Sequence, residues 1–159
     1  GSSVEIFHGA HGKYEDSSAI RTFVPFNING EPALLAGYVC TPLVKFPLSS
    51  LKSGSRARGT TIAELGNHNR PLDMIVYEKD GASFLLMANS ARGVMKISTD
   101  DIARKDGITE RVPDTAGQSY ETIAALKNVV QLDKLNESSA VILVQAENGA
   151  QSLQTVPLP

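Results

Sequence analysis

The sequence predicts an all-β chain assembled from about three repeated units. Two turn dipeptides set in β-prone runs, an ungapped internal repeat and the shortness of every helix-compatible stretch predict it. Asn29-Gly30 and Asp80-Gly81 suit a two-residue type I′ hairpin, in which both central residues take positive φ. Phe23, Val24 and Phe26 precede the first pair, and Ala33 to Val39 follow it. Met74 to Tyr77 precede the second, and Phe84 to Ala88 follow it. Asp101 to Lys105 and Tyr120 to Lys127 each suit a turn or two of helix, the second being the better candidate. Neither is long enough to organise a fold.

The repeat emerges when residues 23–51 are laid over residues 74–102, an offset of 51 without a gap. Gly30 then meets Gly81, Leu34-Leu35 meets Leu85-Leu86, and Lys45 meets Lys96. Val24 meets Ile75, Phe26 meets Tyr77, Asn29 meets Asp80, Phe46 meets Ile97 and Leu51 meets Ile102. The shared order is strand, tight turn, strand, short loop, strand. A weaker third copy is signalled by Thr61 to Asn67, which resembles Thr122 to Asn128. β-prone runs follow at Val129 to Leu132, Ala140 to Ala146 and Leu153 to Leu158. Residues 103–121, with Gly107, Pro113 and Gly117, read as an insertion or long loop. One domain, residues 4–159, is expected, with units at about 4–65, 66–121 and 122–159. Residues 1–3, Gly-Ser-Ser without a methionine, read as a tag scar or processed terminus.

A period near 50 residues with three or four strands per unit suits β-propeller-type repeats of about three blades. GNHNRPLDMIVYEKDGASFLLMANSARGVMKI resembles an NHL-type propeller repeat: a Gly-Asn/Pro entry, an inner strand, a turn with Gly, a second strand, and an Arg-containing loop to the third. Residues 20–51 resemble it loosely, and the pattern departs at Leu72-Asp73. Because a ring of three blades leaves strand edges exposed, the expectation is part of a larger propeller. Self-association or a second polypeptide would complete it. A sandwich with fewer blades is the other outcome.

Composition narrows the function. Hydrophobic residues make up 42% and charged residues 20%, with a formal charge of -2 and both signs interspersed. That excludes neither a ligand nor a partner, but it gives no basic excess for nucleic acid. No apolar run approaches the roughly 20 residues of a membrane span. The basic cluster Lys52 to Arg58 reads as a solvated loop, and Lys45 and Lys96 read as the solvent side of strands. A single cysteine, Cys40, excludes an internal disulfide framework and reads as a small residue ending a strand. No Walker motif, dinucleotide fingerprint or GxSxG elbow is present. The compartment is open, with a lean to periplasmic or secreted.

Propeller topology would gather the loops entering the inner strands and those joining second to third strands on one face. That places His8, His11, His68, Cys40, Arg70 and Arg92 together. Two uses are expected. In the first, a ligand- or partner-binding module uses Asn67, His68, Arg70, Asn89 and Arg92 to hold a carboxylate or phosphate, since guanidinium forks bind such groups bidentately. The other is a metal- or cofactor-dependent enzyme or redox subunit at the propeller centre. There His8 and His11 of the H-x-x-H pair would be ligands to a metal ion, with a third ligand from Glu15, Cys40 or His68.

Overall fold

The computed structural model describes all residues, 1–159. The chain folds into fifteen strands and no α-helix. In order they are β1 (Ser3–His8), β2 (Lys13–Glu15), β3 (Ile20–Ile28), β4 (Glu31–Tyr38), β5 (Pro42–Pro47), β6 (Arg56–Arg58), β7 (Thr60–Leu65) and β8 (Pro71–Lys79). There follow β9 (Ala82–Asn89), β10 (Gly93–Ser98), β11 (Thr115–Gly117), β12 (Tyr120–Thr122), β13 (Val129–Lys134), β14 (Ser139–Gln145) and β15 (Gln151–Pro157). They form four open sheets: β2-β1-β6, β11-β7-β5-β4-β3, β12-β10-β9-β8 and β13-β14-β15. All pairings are antiparallel except β1 with β6. No helix is long and apolar enough to cross a membrane.

Both predicted hairpins form as their turn residues dictate. Asn29 and Gly30 have φ of 52° and 83°, and Asp80 and Gly81 have φ of 52° and 78°. Ile28 faces Glu31 and Lys79 faces Ala82, so each loop has two residues and the strand register follows from it.

The β12-β10-β9-β8 sheet, second of the three repeated sheets that run from β3 to β15, separates two cores. Met74, Leu85, Met87, Met95 and Ile97 pack towards Leu35, Leu43, Ile62 and Leu65 of the preceding sheet. Ile75, Tyr77, Leu86, Ala88 and Val94 pack towards Leu132, Ala140 and Ile142 of the following one. Successive strand residues point to opposite faces, and here both faces are covered. This is why β9 reads as a continuous apolar run rather than an alternating one. Strand β8 packs against both β3 and β13.

A bulge marks the start of the first strand in each of these three sheets. The register slips between Ile20 and Thr22, between Pro71 and Asp73, and between Val129 and Gln131. Arg21, Leu72 and Val130 are therefore the extra residues. Leu72-Asp73, where the repeat pattern departs in sequence, is thus a bend. Its Asp73 accepts bonds from the Met74 N–H at 3.0 Å and from the Leu132 N–H of β13 at 2.9 Å.

Three expectations about these segments need correction. Residues 103–121 are not simply a loop: they contain β11, which pairs with β7, and the start of β12, which pairs with β10. Tyr120 to Lys127 begins as strand, not helix. The Lys52 to Arg58 cluster contains β6, whose arginines pair with Glu5 and Asp16 while Ala57 is buried. Beside this strand Ser3 pairs with Arg56, and the Gly1 carbonyl accepts from the Gly54 N–H.

The crossover from the β12-β10-β9-β8 sheet back to the β11-β7-β5-β4-β3 sheet is held by cations bonded to carbonyls as well as by the buried side chains of Ile102 and Val112. Lys45 is buried, not solvent-facing, and its Nζ donates to the carbonyls of Ile102, at 2.7 Å, and Arg104. Arg104 donates to the Ile62 carbonyl at 2.6 Å and to the Gln118 side chain. Gln118 donates in turn to the carbonyls of Ser98 and Asp100. Lys96 is largely covered as well, its Nζ 4.3 Å from the Phe84 ring centroid. Buried carbonyls need such donors, because an unpaired one costs about 1–3 kcal/mol.

Candidate metal centre

The β1–β2 hairpin lies across β7 rather than between the repeated sheets. Its turn closes through bonds from the N–H groups of His11 and Gly12 to the His8 carbonyl, at 3.1 and 2.8 Å. Gly12, at φ 68°, supplies the left-handed residue that a tight reversal needs. His8 lies across from Lys13, and Ile6 across from Glu15. Alternation along both strands therefore puts His8 and Glu15 on one face, and Phe7 and Tyr14 on the other.

The geometry of that face is closely converged. His8 Nδ1 lies 3.0 Å from one Glu15 oxygen, and His11 Nδ1 lies 2.6 Å from the other. The two imidazole rings stack with centroids 3.8 Å apart. Ser18 Oγ donates to Glu15 at 2.5 Å. His8 is buried, Glu15 is nearly so, and His11 is 47% exposed, which leaves the group open to solvent on one side. One ligand atom from each of the three lies within 4.8 Å of the others.

Electrostatics favour the ligand forms of these groups. Burial opposes ionisation of Glu15, yet hydrogen bonds from Ser18, His11 and His8 overcome it and bring the carboxyl down to about 2. Burial lowers the pKa of His8 more than the Glu15 contact raises it, so its imidazole is neutral at neutral pH. Anionic carboxylate and neutral imidazole are the states that coordinate a cation. His8 Nε2 is buried with no hydrogen-bond partner.

Beneath the turn sits a second carboxyl that the sequence did not single out. Glu64 on β7 accepts the Gly9 N–H at 2.5 Å through one oxygen, while its other oxygen is buried and unpartnered. A Cβ on Gly9 would lie 2.8 Å from Glu64 Cγ, so only glycine fits there. Burial pushes Glu64 up to about 7, against the N–H groups of Gly9 and Ala10, and the nearby Glu15 charge adds to the rise. The Gly9 carbonyl accepts the Val112 N–H at 2.8 Å, which fastens the turn to the crossover segment.

The expected loop set divides differently. Arg92 pairs with Asp114 at 2.7 Å and lies over Gly66, where a Cβ would meet its guanidinium carbon at 2.2 Å. Asn67 bonds the Pro113 carbonyl and, through its N–H, Asp114. Asn89 accepts from Asn69 at 3.1 Å and donates to Met87. These groups knit the loops together. His68, at φ 56°, and Arg70 are exposed. Cys40 is half-buried in a positive-φ turn with Thr41, and its N–H donates to the Asn69 carbonyl. The β4–β5, β7–β8 and β9–β10 connections thus do meet, and Thr41 Oγ1 joins them by donating to Gly66. His8 and His11 stand apart, with Glu15 and not Cys40 or His68 as their third member. Comparison with family models, curated proteins and solved structures returned no match.

The Glu64 signal was present in Thr-Ile-Ala-Glu-Leu, where an acid interrupts a fully buried strand without a basic partner in the pattern. Glu15 could be counted only as one of several third ligands, because a diagonal contact in a hairpin depends on the turn length.

Proposed function

We propose that the chain is a metal-binding protein whose His8, His11 and Glu15 hold one divalent cation of the zinc, cobalt or nickel class. The observation that carries this is the convergence of two imidazole Nδ1 atoms on the two oxygens of one carboxylate. Ligand atoms around a tetrahedral zinc ion lie about 3.3 Å apart, so coordination needs only a small opening of the present contacts. Two imidazoles and one carboxylate leave a fourth position for water or substrate, as in catalytic rather than structural zinc sites. The exposed edge of His11 gives access to it. This reading keeps the metal-dependent alternative drawn from the sequence but sets its site against β7 instead of at a propeller centre.

Titration of untagged, chelator-treated protein with Zn²⁺, followed by calorimetry, should give one saturable site. With Co²⁺ the visible spectrum should show a low-coordinate centre. His11→Ala and Glu15→Gln should each weaken binding by more than about tenfold, since each removes one of the three ligand groups. Absence of a saturable site in the parent protein, or equal affinity in both variants, would overturn the assignment.

A further inference from the structure

We infer that β15 is an interaction edge that pairs with the β15 of a second copy across a twofold axis. In the first two repeated sheets the third strand is covered by another: β5 by β7, and β10 by β12. In the third sheet β15 is the outermost strand and nothing pairs with its free side. Folded chains usually protect such edges with lysine, proline, bulges or brevity. Strand β15 is seven residues long and in regular register throughout, has no charged residue, and carries proline only at its last position.

The hydrogen-bond phase fixes which groups are offered. Ala146 donates to Ala150, and Leu158 donates to Ser138, so the pairs 146/150 and 138/158 are hydrogen-bonded ones. Alternation then turns the N–H and C=O of residues 152, 154 and 156 inwards to β14. Those of Gln151, Leu153 and Thr155 point outwards. An antiparallel twofold pairing centred on Leu153 matches these donors to acceptors. Residue 153 meets its own counterpart, and 151 meets 155, giving about six N–H···O bonds. Leu153 is 73% exposed and lies across from Leu143, so the same register brings two leucines together on the outer face of the joined sheet. A centre of self-complementary pairing is what an isologous contact requires.

The mass of the full chain, measured by light scattering or sedimentation over a concentration series, tests this. A dimer is expected. Thr155→Pro removes one outward N–H without touching the bonds to β14, and Leu153→Lys sets like charges on the axis. Each should raise the dissociation constant by at least about tenfold while circular dichroism stays unchanged. A chain that stays monomeric throughout overturns the inference. So does a dimer indifferent to both variants, or an assembly that grows beyond two copies. If a variant loses its circular dichroism signal, the other variant decides.

Discussion

Glu64→Gln is expected to make the metal-free protein more stable at alkaline pH, by an amount that vanishes on acidification. An unfolded glutamate ionises near its ordinary 4.5, whereas burial holds the folded Glu64 carboxyl protonated up to about 7. Between those values the folded state binds more protons than the unfolded one, so stability falls as pH rises. The contribution is intact below about pH 4.5 and lost above about pH 7; a gap of this size corresponds to roughly 3 kcal/mol. Glutamine keeps an acceptor for the Gly9 N–H and has no charge to bury. His8 acts in the opposite sense, because its lowered pKa makes the folded state shed stability as pH falls through its unfolded range. Glu15, held near 2, loses its contribution only at still lower pH. Both groups are shared by parent and variant. Their difference in denaturant-derived stability, measured in chelator from about pH 5 to pH 8, therefore isolates Glu64. A difference that does not change with pH would show that Glu64 ionises normally in the folded chain.

The second large effect is expected at Gly117. Its φ is 82°, and a Cβ there would sit 2.1 Å from the Ile62 carbonyl oxygen. Gly117→Ala must therefore adopt an unfavourable backbone region and also push β11 off β7. The neighbouring Gln118, with its bonds to Ile62, Ser98 and Asp100, would move with it. A loss of about 3 kcal/mol or more in urea denaturation is expected. Gly30→Ala is the matched control, since φ is 83° but nothing lies within 4 Å of the added carbon. That variant should cost only about 1 kcal/mol. Equal losses at the two positions would mean that the crossover does not bear on stability.

The parts of the fold legible in the sequence are those whose cause is local. Asn29-Gly30 and Asp80-Gly81 specify their turns through φ alone, and the flanking strands inherit their register from them. The likeness of Thr61–Asn67 to Thr122–Asn128 holds only at its start, where Thr61 of β7 faces Val44 and Thr122 of β12 faces Met95, the residue that matches Val44 in the repeat; β7 then runs on to Leu65 while β12 ends. Strands β6 and β11 were illegible for the opposite reason. Arg-Ala-Arg and Thr-Ala-Gly are too short to carry a period, and each forms only because a partner roughly fifty residues away offers a free edge. Lys45 misled because a cation in an apolar strand usually reaches solvent, and here two carbonyls replace the water. In the candidate centre, His8 and His11 stood out by spacing. Glu15 needed the hairpin, and Glu64 needed the packing of that hairpin on another sheet.

The place of β11 in the chain also sets an order of assembly. Its partner β7 is complete at Leu65, but β11 ends only at Gly117. During synthesis about fifty residues, or roughly 3–10 s, separate the two. The hairpins of the first two repeated sheets can form while the nascent chain is still growing. The outer edge of β7, with Glu64 on it, stays unclosed until the second sheet has been made. The crossover therefore acts as a late latch, and the histidine turn is clamped from above only when Val112 reaches Gly9.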